Sequence, residues 1–152
     1  MAVDEQQVVE RPTRRSGALV DYLARHLRRR SESALAPLGL RTRHLVALTV
    51  LRERTEITQR DLATVLVLDS TNVVGLLNEL ETRGLVERRR SAEDRRRHVV
   101  TLTDDGTTLL CRAETALAAV EDEVFAGLDP AQREQLHELL LAATGSASAP
   151  FC

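Results

Sequence analysis

The chain has 152 residues and a formal net charge of −2 at pH 7, with 29% charged and 2% aromatic residues. This length suits one domain, and the composition requires a core of Leu, Val and Ala, as in helical proteins. No apolar run reaches membrane-spanning length and the N-terminus lacks a signal peptide's apolar segment, so we expect a cytoplasmic protein without membrane partners.

The first third of the chain predicts a short arm followed by two helices. Residues 1–12 are polar and include Pro12, which favours a flexible arm. Leucines at helical spacing predict a long helix from about Arg14 to Ala36, which Pro37-Leu38-Gly39 ends. A second helix is predicted from Thr42 to about Arg52.

The next segment has the pattern of a helix, a turn and a second helix. Thr58 and Asp69 are predicted N-caps of the two helices. In the second helix, Val73, Leu76, Leu77 and Leu80 recur at helical spacing and should face the core. Five positions at or near its outer face are short polar residues or glycine, which let a helix approach base edges and phosphates closely. These candidate DNA contacts are Ser70, Thr71, Asn72, Gly75 and Asn78.

After Gly84, which should end the second helix, the pattern changes to that of two strands. Val86 begins a strand that leads into a run of arginines, and 99–102 is rich in β-branched residues and predicts the return strand. Guanidinium groups at the tip of a β-ribbon suit phosphates and a narrow minor groove. The candidate residues of this wing are Arg90, Asp94, Arg95, Arg96 and Arg97.

Each of these signals alone has a simpler explanation. An arginine run is usually a solvated surface, and a Ser-Thr-Asn start usually only caps a helix. Here both occur in one supersecondary unit, at the two places where a winged helix contacts DNA, and the conjunction predicts DNA binding. The negative net charge does not oppose this, because residues 84–100 hold six arginines against three acids, whereas residues 113–143 hold seven acids against Arg133.

The segment from about residue 40 to 106 resembles the multiple-antibiotic-resistance regulator (MarR) family of transcription factors. The resemblance is carried by Thr58-Gln59-x-x-Leu62-Ala63, by residues 69–81, and by a wing signature of Asp94, Arg96, Leu102 and Thr103. It implies that Arg96 enters the minor groove, held by a salt bridge from Asp94, and that Ser70, Thr71 and Asn72 contact the major groove. Many relatives carry arginine at the position of Gly75, and its absence here implies a different operator.

Two apolar helices follow the wing, from about Thr103 to Ala126 and from Asp129-Pro130 onward. With the long first helix they leave surplus apolar surface, which predicts an isologous homodimer; a monomer folded back on itself is the alternative. The predicted fold class is therefore mostly α with a small β wing. We expect one domain over 13–144, with dimerisation helices at 13–36 and 104–144 around a winged part at 41–103, and a mobile tail at 145–152.

The resemblance also implies an effector, since relatives commonly bind small aromatic acids between the dimerisation helices and the winged part. The polar candidates are Tyr22, Arg25, His26, Arg43 and His44. Each also has a structural interpretation: Tyr22 and His26 can stack on one helix, and Arg43 can be solvated.

Two cysteines raise a redox alternative, although we expect Cys111 to be buried among apolar neighbours and Cys152 to be exposed at the chain end. The sequence holds no phosphate-binding glycine loop, no metal-ligand spacing and no nucleophile elbow, which argues against an enzyme, a metal or a cofactor. The predicted function is a homodimeric regulator of double-stranded DNA, a repressor released by an aromatic or phenolic ligand. The alternatives are a redox-responsive regulator, a ligand-independent or architectural DNA-binding protein, and a protein-interaction module.

Overall fold

A computed structural model describes residues 15–145. The predicted arm, the tail beyond 145 and Cys152 lie outside this range. The described residues form helices around a small antiparallel sheet, in the order α1 (Gly17–Leu35), α2 (Thr42–Glu53), β1 (Ile57–Thr58), α3 (Gln59–Val65), α4 (Ser70–Thr82), β2 (Val86–Arg90), β3 (His98–Leu102), α5 (Asp104–Val124) and α6 (Pro130–Ala143).

The predicted break after the first helix is confirmed. The turn that forms it is held by a hydrogen-bond donor from α4, which the sequence did not reveal. α1 begins at Gly17 rather than Arg14, and a single 3₁₀ turn at Ala36–Leu38 follows it. Gly39 then adopts a φ of 65°, a left-handed conformation that glycine tolerates. The Arg83 guanidinium donates to the carbonyls of Leu38 at 2.9 Å and Gly39 at 2.7 Å, and thereby ties this turn to the end of α4.

The helix-turn-helix forms as the caps predict. The Thr58 hydroxyl accepts the backbone N–H of Asp61, and the Asp69 carboxylate accepts that of Asn72. One face of α4 is buried in the core, as predicted, through Val73, Leu76, Leu77 and Leu80. The other side of α4 is left to face outward.

The wing is a three-stranded antiparallel sheet in the order β1-β3-β2. Gly84 ends α4 with a φ of 70°, and the Leu85 N–H donates back to the Leu80 carbonyl at 3.0 Å. The return strand begins one residue earlier than predicted, at His98. The sequence did not predict β1, because two residues are too few to show an alternating pattern; Ile57 pairs with Val100.

The hydrophobic core lies between α2, the helix-turn-helix, the sheet and the first half of α5. α5 packs against both α1 and α2, and its Leu110 and Ala113 are fully buried. α6 buries no side chain completely, and Leu139, Leu140 and Leu141 are exposed on it. The terminal helices therefore carry apolar surface that residues 15–145 do not cover.

The prediction that Cys111 is buried is wrong, because its thiol is exposed. Leu110 faces the core, and the next residue on a helix points about 100° away from it. Cys111 is therefore exposed even though its neighbours in the sequence, Leu109 and Leu110, are apolar. No helix among residues 15–145 is long and apolar enough to cross a membrane.

The first turn of α5 passes so close to the chain after α4 that only glycine fits at position 106. An added Cβ there would lie 2.1 Å from the Leu85 carbonyl oxygen and 2.7 Å from Leu102 Cδ1. The same carbonyl accepts the Thr103 N–H at 3.1 Å, so it cannot move away without losing that bond. Gly75, in contrast, lies on an open helix surface, where an added Cβ would meet nothing within 4 Å.

We expect Gly106→Ala to lower the free energy of unfolding by about 3 kcal/mol, because the methyl group clashes with backbone. Gly75→Ala is the matched control and should raise it by about 0.5–1 kcal/mol, through the helix propensity of alanine. Urea denaturation of both variants measures this. A Gly106→Ala protein as stable as wild type would show that the helix and the Leu85 segment separate readily.

Candidate nucleic-acid interface

The outward face of α4 is built from small and polar residues. Thr71, Gly75 and Asn78 share one side of the helix, opposite the buried leucines, and all three are exposed. Ser70 and Asn72 are exposed at the start of the helix. This surface has no long side chain along its centre, so another molecule can approach the helix backbone closely.

The start of α4 is held by a two-point contact between Asp69 and Asn72. One Asp69 oxygen accepts the Asn72 backbone N–H at 2.8 Å, and the other accepts the Asn72 side-chain Nδ2 at 2.7 Å. The backbone hydrogen bond and then the side-chain one lower the pKa of Asp69. Asp69 is therefore a carboxylate at neutral pH, and an acceptor only.

A second contact joins α4 to the wing. Arg88 on β2 donates from Nε to Glu81 Oε2 at 3.0 Å and from Nη2 to Asn78 Oδ1 at 2.6 Å. The hydrogen bond from Arg88 is the main cause of a lowered pKa for Glu81. Arg88 therefore holds the wing against the outward face of α4 through Glu81 and Asn78.

A third contact joins α4 to α2 through Glu79. The His44 Nδ1 accepts the Arg41 N–H at 3.0 Å, so the proton of the neutral ring is on Nε2, which donates to Glu79 at 2.8 Å. Arg43 Nη2 also donates to Glu79, at 2.7 Å. These bonds, from His44 first and Arg43 second, lower the pKa of Glu79. His44 is buried, so the contact is part of the fold.

The structure does not bring the five predicted ligand residues together. Tyr22 and His26 stack on each other on α1, with ring centroids 6.0 Å apart, and Arg25 pairs with Asp21 at 2.8 Å. Arg43 and His44 are instead engaged with Glu79. The cavity beside His44 has no α1 residue in its lining, which consists of Gly39, Arg41, His44, Asn78, Glu79, Leu80, Thr82 and Arg83.

At the wing tip, Asp94 has a different partner from the one that the family resemblance implies. Its Oδ1 accepts the backbone N–H of Arg96 at 2.9 Å, and its Oδ2 lies 3.5 Å from Nε of Arg97. The carboxylate thus shapes the turn and pairs with Arg97, and the expected ion pair with the Arg96 guanidinium is absent among the described contacts. Arg96 is exposed.

The arginines of the wing lie beside the start of α3. Arg96, Arg97 and His98 line one cleft together with Gln59 and Arg60. Arg90 and Arg95 are exposed, and Arg90 lies opposite His98 in the register of β2 and β3. The sequence did not single out Arg60, which adds a further positive charge to this side of the molecule. Within residues 15–145, no three His, Cys, Asp or Glu side chains are grouped to hold a metal ion.

Comparisons of sequence and of structure with known proteins point to the same family. A MarR family profile matches residues 40–98. An uncharacterised helix-turn-helix transcriptional regulator of Bacillus subtilis, YdgJ, is 33% identical over 102 residues, which cover 67% of this chain and 62% of that relative. The chain thus spans less than two thirds of that curated relative's length.

Two solved structures resemble the chain over most of its length. A transcriptional regulator of the MarR family from Rhodococcus sp. RHA1 is 30% identical, with a TM-score of 0.69, and the match covers 84% of this chain and 90% of that one. CouR from Rhodococcus jostii RHA1, bound to p-coumaroyl-CoA, is 31% identical, with a TM-score of 0.65 and the same coverage.

We expect Arg88→Met to destabilise the protein by about 1 kcal/mol at pH 7, because the partly exposed pair with Glu81 is lost. The folded-state pKa of Glu81 is lowered, so the pair stabilises above the unfolded pKa and its contribution is lost as the pH falls through the folded pKa. Urea denaturation at pH 7 and at acidic pH should therefore show the difference from wild type shrinking on acidification.

The neighbouring Arg89 provides the control for this measurement. Arg89 pairs with Glu87 on the exposed side of the same strand, so Arg89→Met should change stability little at either pH. A loss for Arg88→Met that is equal at both pH values would mean that its contribution comes from packing of the side chain.

Proposed function

The chain belongs to the MarR family of transcriptional regulators, and we propose that it binds a pseudo-palindromic operator in double-stranded DNA as a homodimer and represses transcription from an overlapping promoter. One observation carries the proposal: a helix with a small, polar outward face is joined to an arginine-tipped wing through Arg88. These are the two elements that a winged helix places in adjacent grooves.

The proposed major-groove contacts are on α4. The exposed hydroxyls of Ser70 and Thr71 suit phosphates, and the amides of Asn72 and Asn78 suit base edges. Gly75 lets the helix approach the bases without a side chain in between. The contacts from Glu79 to α2 and from Glu81 to Arg88 hold this helix at a fixed angle to the rest of the protein.

The proposed minor-groove contact is Arg96, with Arg90, Arg95 and Arg97 near the flanking phosphates. Among residues 15–145, Asp94 pairs with Arg97 and accepts only the backbone N–H of Arg96, so the Arg96 guanidinium can enter a narrow groove without first giving up an ion pair with Asp94.

The proposed homodimer rests on apolar surface at both ends of the described chain. α1 and α6 leave six large apolar side chains exposed in the single chain: Leu19, Val20, Tyr22, Leu139, Leu140 and Leu141. Exposed apolar surface of this kind, concentrated on two helices, typically marks an interface. We infer that residues 13–36 and 104–144 form the dimerisation part around the winged part at 41–103.

We propose a small aromatic or phenolic effector that releases the protein from DNA. One relative, CouR, is bound to p-coumaroyl-CoA, an aromatic ligand. In this chain, Arg43 is the cationic candidate to meet such a ligand, and it would exchange Glu79 for the ligand's anionic group. Because Glu79 lies on α4, this exchange would connect ligand binding to the position of the recognition helix.

Selection of bound sequences from a random duplex pool, at near-physiological salt, tests the proposal. The expected result is an inverted repeat with half-sites about one helical turn apart. Weak binding without any enriched sequence, lost as the salt concentration rises, would instead indicate an architectural DNA-binding protein.

We expect Arg96→Ala to weaken binding to the selected operator and to reduce the slope of log K against log salt by about one unit per site. Arg112→Ala removes the same charge from an exposed position on α5 and should leave both quantities unchanged. Titrations at three or more salt concentrations provide both values. An unchanged slope for Arg96→Ala would exclude the wing contact.

We expect the double variant Leu139→Glu, Leu140→Glu to be monomeric, since burying carboxylates in an apolar interface is costly. Val67→Glu is the control, because Val67 is 90% exposed in the turn between α3 and α4, outside the terminal helices. Light scattering after size-exclusion chromatography gives the masses. A dimeric double variant would place the interface elsewhere.

A further inference from the structure

The turn that joins α3 to α4 holds a valine in a left-handed backbone conformation. Val67 has a φ of 54°, and among residues 15–145 it is the one residue other than glycine with a positive φ. Its N–H donates to the Thr64 carbonyl at 3.2 Å, and the N–H of Leu68 donates to the Ala63 carbonyl at 2.9 Å. These two hydrogen bonds form a motif that commonly ends helices, and the motif requires the left-handed conformation at position 67.

The same motif ends α4, and there the left-handed position is a glycine. Gly84 has a φ of 70°, its N–H donates to the Glu81 carbonyl at 2.8 Å, and the Leu85 N–H donates to the Leu80 carbonyl at 3.0 Å. Glycine adopts this conformation freely because it has no Cβ, whereas a β-branched valine is strained in it. The chain therefore has the usual residue in one of the two turns and a disfavoured residue in the other.

The fold gains little from the side chain of Val67. This side chain is 90% exposed, whereas Leu66 and Leu68 on either side of it pack against the core. A glycine at position 67 would keep both hydrogen bonds of the turn without the strain. A strained residue whose side chain packs little within residues 15–145 points to a contact with another molecule.

The position of the turn indicates which molecule makes this contact. Val67 lies two residues before Asp69, the N-cap of α4, and two residues of chain span at most about 7 Å. In a helix-turn-helix bound to DNA, the first helix crosses the backbone and the start of the second contacts base edges, so the turn between them lies at the edge of the major groove. Ser70 and Asn72, which we propose as DNA contacts, are exposed at this same helix start.

We propose that Val67 packs against the 5-methyl group of a thymine and makes the operator specific for thymine at one base of each half-site. The inference rests on the proposed function and adds a specificity-determining residue to it. Thymine alone among the four bases carries a methyl group on its major-groove edge, and an apolar side chain has no hydrogen bond to offer the other three. The strained valine thus lowers the stability of the turn and adds to the recognition of DNA.

Selection from a random duplex pool by wild type and by Val67→Gly locates the contact. Both proteins should enrich the same inverted repeat, except at one base pair in each half-site, where wild type selects thymine and Val67→Gly has no preference. Because glycine relieves the strain, the variant should also unfold at a higher urea concentration than wild type. A loss of preference in a more stable protein cannot be attributed to misfolding.

Replacing the selected thymine by deoxyuridine removes the methyl group and leaves the hydrogen-bonding groups of the base unchanged. Wild type should bind the deoxyuridine duplex about fourfold more weakly, as expected when one methyl group is lost from an apolar contact. Val67→Gly should bind the thymine and deoxyuridine duplexes equally. Deoxyuridine at any other thymine of the operator should change the affinity of both proteins by the same factor.

Two further variants separate the apolar side chain from the backbone conformation. Val67→Asn also tolerates the left-handed conformation but is polar, so it should bind the thymine and deoxyuridine duplexes equally. Val65→Ala shortens another valine, which is 37% exposed in the last turn of α3, and it should retain the fourfold difference.

The outcomes separate this inference from the function on which it rests. No enriched repeat with wild type would remove the proposed function itself. An enriched repeat that Val67→Gly selects with an unchanged preference at every position would overturn the inference alone. The inference would also be overturned if wild type bound the thymine and deoxyuridine duplexes equally, since Val67 would then contact a sugar, a protein or nothing.

Discussion

The burial of one face of α4 is the constraint on which the rest of the structure depends. Leu77 and Leu80 have no exposed surface, and each buried leucine contributes about 1.5–3 kcal/mol. This packing fixes the rotation of the helix about its axis, which in turn decides the outward residues. Glu79 and Glu81 then meet α2 and β2 on the two flanks, so the helix has little freedom to turn about its axis.

Local chemistry made much of this fold predictable from the sequence. The caps at Thr58, Asp69 and Thr103, the stop at Gly84 and the change of period after it all depend on neighbours within a few residues. The ion pairs could not be predicted in this way, since Glu79 meets residues 35 and 36 positions away. The partner of Asp94 was expected wrongly for a related reason: turn geometry, rather than spacing, decides which arginine it meets.

The charge of the chain is distributed according to the same architecture. The overall charge is −2, but the wing and the start of α3 are rich in arginine, whereas the acids are concentrated on α5 and α6. A single figure for net charge therefore describes neither region. A polyanion that approaches from the wing side meets a positive surface, and its orientation relative to α4 is favoured before any specific contact forms.

At position 75 the stability of the helix favours alanine, whereas the proposed function favours glycine. A glycine inside a helix costs about 0.5–1 kcal/mol relative to alanine. Nothing in the described structure needs it, because an added Cβ would meet nothing within 4 Å. At Gly106 the opposite holds, since the neighbouring carbonyl leaves no room for a methyl group. We therefore infer that the reason for a glycine at 75 lies in the proposed function, in a molecule that comes close to the middle of the exposed face of α4. The floor of a DNA major groove fits this requirement, because a helix that lies in it brings its backbone nearest to the bases at the centre of its outward face.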